Sequence, residues 1–165
     1  MALPAWIGSL ALLAAAHTGA WAAGRLLGPR FAAPIDAGVM LADGQRLLGD
    51  HKTWRGVVAG VLACTLLAPL LGYPLQIAVA FAILALTADA VSSFVKRRLR
   101  CAPGTEIPGL DQLPEALLPL LVLSRPLGIG LADVGILTAV FVLLDLAAMR
   151  LRHHTRGTGG PRSDA

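Results

Sequence analysis

Five apolar stretches alternate with two polar segments along the 165-residue chain. Residues 3–27 are apolar apart from His17, Thr18 and Arg25. At about 1.5 Å per helical residue, the apolar part can cross a hydrocarbon core of about 30 Å. Ala14-Ala15-Ala16 imitates a signal-peptide cleavage site, but no basic residue precedes the apolar region, which favours a first transmembrane helix. Residues 57–71, extended by Gly72 and Tyr73, form a second span, followed by a charge-free turn at Pro69, Gly72 and Pro74. Residues 75–95 form a third. Residues 113–123 are a short fourth span interrupted by Pro114, Glu115 and Pro119, which predicts a kinked or partly re-entrant helix. Residues 131–149 form a fifth. Between these lie the polar segments 28–56 and 96–111, and Pro103-Gly104 and Pro108-Gly109 break any helix in the second. The pattern predicts an all-α polytopic membrane protein with five transmembrane helices and two polar cytoplasmic loops. It forms a single domain over residues 1–152, with a disordered basic tail over 153–165.

Composition agrees. Hydrophobic residues make up 56% and charged residues 15%, with mean hydropathy +0.70. A soluble domain carries nearer 25% charged residues. Five spans put thirteen of the fourteen Lys and Arg on one side and leave only Arg125 on the other. The positive-inside rule then places the N-terminus outside, and both polar loops and the C-terminus in the cytoplasm, in the cell (inner) membrane. Inner-face charge accounts for the basic residues, so no nucleic-acid partner is implied. Cys64 lies in an apolar run and Cys101 in a basic loop, and neither has a second ligand at zinc spacing. Gly56 and Gly60 give a small-xxx-small step suited to close helix packing, and compatible with a homodimer face.

The candidate chemistry centres on Asp89, which follows a charge-free run and falls at membrane depth. On a helix, Asp89, Ser93, Lys96 and Arg100 share one face, with Ser92 and Arg97 flanking it. An intramembrane acid is expensive and marks a polar cavity by default; a structural pair with a basic residue is the plain alternative. The first loop mixes Asp43 and Asp50 with Arg46, Lys52 and Arg55, and adds the Thr53 hydroxyl. Carboxylates hold Mg²⁺ at one or two points and leave phosphates and water to complete it. Lys and Arg neutralise phosphate oxygens. The two loops thus carry the parts for phosphoryl or nucleotidyl transfer beside a membrane. Trp54 is placed to stack on a base or to anchor the interface. His17 reads as a tolerated or interhelical polar group rather than a ligand. Serine-hydrolase, zinc-protease and dinucleotide signatures are absent, and Gly49-Asp-His-Lys-Thr53 lacks the upstream Gly of a P-loop.

Four strings carry a resemblance: Pro34-Ile-Asp36, Leu48-Gly-Asp-His-Lys-Thr-Trp-Arg-Gly56, Asp89-x3-Ser-Phe-x-Lys-Arg-Arg98 and Pro108-Gly-Leu-Asp-Gln112. They resemble the CDP-archaeol synthase family, one of the membrane CTP:lipid-phosphate cytidylyltransferases related to phosphatidate cytidylyltransferase. The likeness runs from about Pro34 to Leu113, and the five-span layout covers the rest. It implies an enzyme that joins CTP to an archaeol-type or diacylglycerol-type lipid phosphate, giving a CDP-lipid and pyrophosphate with Mg²⁺. It implies Asp89, Lys96, Arg97 and Asp111 as catalytic residues, with Asp89 and Asp111 on the metal. Asp36, Asp50, Lys52, Thr53, Arg55, Ser93, Arg98 and Gln112 would bind substrate. Two positions depart from the family: Ala88 stands where its Gly is expected, and Pro114-Glu115 where a further Asp is expected. The first bears on helix packing; the second moves a metal ligand to Glu115 or removes it. Two other classes keep the same topology. A small transporter subunit or assembly factor would make Asp89 a structural pair. A CDP-alcohol phosphotransferase is hinted at by Asp43-Gly44, but its downstream acids are missing.

Overall fold

The computed structural model describes residues 3–102, 105 and 107–157, with side chains up to Leu151. The described residues form six helices: α1 (Ala5–Leu27), α2 (Trp54–Leu71), α3 (Leu75–Arg98), α4 (Gln112–Val122), α5 (Ser124–Leu127) and α6 (Leu131–Gly157). Among the described residues there is no strand, in line with the all-α expectation. Four helices, α1, α2, α3 and α6, are long and apolar enough to cross a membrane. The sequence predicts five. The difference is α4, whose 11 residues extend only about 16 Å, roughly half of a hydrocarbon core. Pro119 sits inside it, and Leu123 ends it before the single turn of α5. α6 continues to Gly157, past the expected end of its span. Residues 158–165 of the expected tail, and Pro103-Gly104, lie outside the described residues.

The helix ends follow local chemistry. Thr53 caps α2, its hydroxyl accepting from the Gly56 N–H. Gly72 closes α2 in the left-handed region at φ 77°, a conformation that favours glycine, and Pro74 then opens α3. The interior is built from small residues. Ala16, Ala68, Ala78, Ala82, Ala85 and Ala116 are fully buried around Leu12, Leu13, Phe81 and Leu120. Small side chains let backbones approach where lipid provides no hydrophobic drive. Gly56 and Gly60 are spent inside the chain: a Cβ on Gly60 would lie 3.0 Å from the Ala16 carbonyl and 3.1 Å from Leu86. They pack against α1 and α3, so the small-residue step does not form a homodimer face. Ala88 is likewise buried. Leu62, Leu66, Leu70, Val91, Leu121, Leu143 and Leu144 point outward and make the lipid-facing belt.

Candidate active site

The 28–53 segment is a folded strap rather than a slack loop. Ile35 N–H donates to Lys52 O, Trp54 N–H to Ala33 O, and Leu47 N–H to Val39 O. At its centre Asp36 accepts from the N–H groups of Gly38, Leu48 and Gly49, and from Arg46 at 2.8 Å. The Arg46 guanidinium and the three amides hold its carboxyl well below the usual carboxylate range. Asp36 in turn raises Arg46 above its ordinary value. Arg98 closes the strap onto α3, bonding Asp43 at 2.7 Å and the Arg46 carbonyl. Arg55 ties the start of α2 to the Gly28 and Arg30 carbonyls.

This strap delivers Lys52 and Thr53 to the mouth of a cleft of about 950 Å³ enclosed by α1, α2, α3, α4 and α6. Lys52 Nζ is paired with Asp89 on α3. One and two turns further along α3, Ser93 and Lys96 face the same space. Lys96 Nζ lies 2.7 Å from Asp111 Oδ1 and donates to the Thr105 carbonyl. Asp111, at the start of α4, also accepts from the Ile107 N–H. Arg97 lines the cleft, almost fully buried, with one arm on the Ala102 carbonyl.

Deeper in the bundle lies a second polar layer. His17 on α1 bonds Glu115 on α4 at 3.1 Å, and its other ring nitrogen lies 3.7 Å from Asp145 on α6. Gln112 donates to Asp145 at 2.9 Å, and its carbonyl accepts from the Gly109 N–H. Four ionisable or amide groups from three helices thus form the cleft floor.

Asp50, Lys52, Thr53, Arg55, Asp89, Ser93, Lys96, Arg97, Asp111 and Gln112 all line the cleft. Asp36 and Arg98 do not; both are engaged in holding the strap. Arg100 leaves the Asp89 stripe because α3 ends at Arg98 and Arg100 takes φ 57°. Trp54 is exposed and outside the cleft lining, as an interfacial anchor would be. His17 proves interhelical, as read from the sequence, but it also lines the cleft beside Asp145. The signal that would have found the floor is available: His17, Glu115 and Asp145 are each ionisable residues inside or beside an apolar run.

Apolar helices around a cleft lined with acids and bases at membrane depth define a polytopic membrane protein with an intramembrane polar site. Residues 9–152 match the family described as CarS-like, CDP-archaeol synthase. The chain belongs to this family. It is 39% identical over 89 residues to the CDP-archaeol synthase of Pyrococcus furiosus, an alignment covering 48% of this chain and 53% of that protein. It is 46% identical over 91 residues to that of Thermococcus kodakarensis, with the same shares covered. With the protein of the same name from Pyrobaculum calidifontis it is 41% identical over 128 residues, or 72% of this chain and 78% of that one. The chain spans about half the length of the first two relatives. A solved structure of an intramembrane enzyme for archaeal membrane lipid biosynthesis superposes with TM-score 0.65 at 39% identity, covering 83% of this chain and 90% of that one.

Proposed function

We propose that the chain is a CTP-dependent cytidylyltransferase that converts a dialkyl or diacyl glycerol phosphate into a CDP-lipid and pyrophosphate. The observation that carries this reading is the pairing inside the cleft. Two carboxylates, Asp89 and Asp111, are each neutralised by a lysine, Lys52 and Lys96, at the edge of a membrane-embedded space. Both lysines have a role without substrate, and both are free to turn to phosphate oxygens when a triphosphate arrives.

The chemistry follows from charge. A lipid phosphate is largely dianionic near neutral pH, since the second pKa of a phosphomonoester is about 6. One of its oxygens attacks the α-phosphorus of CTP; the bond from that phosphorus to the bridging oxygen breaks, and pyrophosphate leaves with the electron pair. No general base is required. The obstacle is repulsion between two anions, and Lys52, Lys96, Arg97 and Arg55 oppose it. Ser93 and Thr53 add hydroxyls, Asp50 and Gln112 border the same space, and Asp36 and Arg98 hold the strap that presents Lys52.

The residues suit Mg²⁺. Asp89 and Asp111 offer hard oxygen donors facing one space, and each already holds an ammonium where a metal cation would sit. Among the described residues no three His, Cys, Asp or Glu side chains form a cage. One or two carboxylates beside substrate phosphates is the arrangement Mg²⁺ commonly uses. The ion would supply charge neutralisation of the triphosphate.

We also propose five crossings, with the N-terminus outside and the C-terminus cytoplasmic. The Gln112–Asp145 bond supports this, because it sets the start of α4 beside α6 about 21 Å from the Leu131 end. Lys96–Asp111 likewise sets the end of α3 beside the start of α4, and the two links together support α4 running from that side toward the Leu131 end of α6 despite its length. The test is direct. Purified protein in lipid, with labelled CTP, Mg²⁺ and a panel of glycerol phosphates bearing ether- or ester-linked chains, is expected to yield a labelled CDP-lipid and pyrophosphate. Intact, folded protein that gives no CDP-lipid from any of them overturns the reading.

A further inference from the structure

The lipid-facing side of the α1–α2 pair carries a second feature, a shallow and widely open groove of about 520 Å³. Ala15, Gly19, Ala22, Ala63, Leu66 and Leu70 are among the residues that line it. The groove arises because Gly19 lets the two helices approach: a Cβ there would lie 2.9 Å from both the Ala59 carbonyl and the Ala63 Cβ. Its lining is apolar apart from Thr18, whose hydroxyl is already given to the Ala14 carbonyl, and Trp21.

Trp21 is the informative residue. It lines this groove and the polar cleft at once. The Arg25 guanidinium stacks over its ring, 5.5 Å from the centroid, and Arg25 also borders the cleft. An apolar trough and a cationic cleft therefore meet at one indole. From Trp21 the groove follows α1 back to Ala15, about 9 Å toward the N-terminal end of α1 and away from the strap. That is the direction a lipid tail takes from a headgroup held beside the strap.

We infer that this groove seats one hydrocarbon chain of the lipid phosphate, and that Trp21 and Arg25 mark where the chain gives way to the glycerol phosphate. The identity of the headgroup rests on the cytidylyltransferase reading above. A tail that leaves bilayer hydrocarbon for protein hydrocarbon gains little affinity. The groove acts by orientation, steering the phosphate past Trp21 into the cleft.

The test uses the full chain in lipid nanodiscs with a dialkylglycerol phosphate carrying a diazirine in one tail. Irradiation is expected to label the α1–α2 groove. Excess unlabelled dialkylglycerol phosphate should remove most of that label, and phosphatidylcholine should not. In parallel, kcat/KM is compared for a long-chain lipid phosphate and a short-chain, water-soluble one. Thr18→Phe, an exposed position that fills the groove, is expected to lower the long-to-short ratio by at least about tenfold. Leu62→Phe, which adds the same ring to the belt outside the groove, should move it little. Label scattered over the belt, or indifferent to unlabelled lipid phosphate, overturns the inference. So does a ratio unchanged in folded Thr18→Phe, or disulfide formation between two copies carrying Leu66→Cys, which would give the groove to a second copy. A wild-type protein that makes no CDP-lipid sinks the function reading, while the labelling still decides the groove.

Discussion

A substitution at Asp89 decides between the proposed metal-binding acid and a structural one. Its carboxylate is neutralised by Lys52, and both groups border an open cleft rather than dry packing. Asp89→Asn keeps the shape and removes the charge. An uncharged amide is easier to hold at membrane depth than a carboxylate, and Lys52 retains access to the cleft water. Turnover is therefore expected to fall by about a hundredfold or more, the scale of several kcal/mol of charge stabilisation, while the melting temperature in detergent changes little. An unstable variant with near-normal turnover per folded molecule would make the pair structural. Asp36 behaves differently, and the sequence did not separate the two acids: both sit in family-like strings, and only the fold reveals that one carboxylate is closed inside the strap. Because the folded protein holds Asp36 below its ordinary value of about 3.9, its contribution is fully present above about pH 4 and is lost as pH falls toward the depressed folded value. Limited proteolysis of the 28–53 strap should be flat from about pH 8 to pH 5 in the wild type. Asp36→Asn should be cut faster across that whole range, with a raised KM for CTP. A wild-type strap that opens between pH 8 and pH 5 would contradict the assigned bonds.

The long helices were legible because lipid imposes a simple rule: a charge-free run of sufficient length becomes a span. α1, α2, α3 and α6 obey it. α4 was legible in position and in its irregularity, since Pro119 and the flanking polar residues are visible in the sequence, but not in its extent. The pairing of His17 with Glu115 and Asp145 was not legible, because partners 98 and 128 positions apart meet only through helix packing. The α1–α2 contact illustrates what the sequence withholds. Gly19 attracts no notice in an Ala-rich run, yet α2 leaves no room for a side chain there: a Cβ would lie 2.9 Å from the Ala59 carbonyl. A methyl there meets backbone on α2, which cannot rotate aside as a flexible side chain can. Gly19→Ala is expected to destabilise by about 1–3 kcal/mol, the usual scale of overpacking, seen as a lower melting temperature in detergent. Gly24→Ala, on the same helix with open space at its Cβ, is the control and should move the midpoint little. Equal midpoints for the two would mean the helices are not held at this distance.

At the scale of the whole molecule, the number of crossings decides whether the strap and the 99–111 connection can share one cleft. A chain with only α1, α2, α3 and α6 as spans would put its two termini on the same side and leave Arg125 beside Cys101. The proposed five crossings would separate them, with Cys101 on the cytoplasmic side and Arg125 outside. The chain carries its own reporter. Of its two free cysteines, Cys64 is buried in α2 and Cys101 is partly exposed in the connection after α3. A membrane-impermeant maleimide should therefore leave the wild type unlabelled in intact cells and label Cys101 once the membrane is opened. With Cys101 changed to Ser, Arg125→Cys should label in intact cells. The substitution is mild, because Arg125 occupies the exposed single turn of α5 and forms none of the ion pairs found among the described residues. If Arg125→Cys stays protected until permeabilisation, α4 does not cross. The Lys96–Asp111 and Gln112–Asp145 links could then not join the ends of α3 and α6 on one face, and the single-cleft arrangement would fall with them.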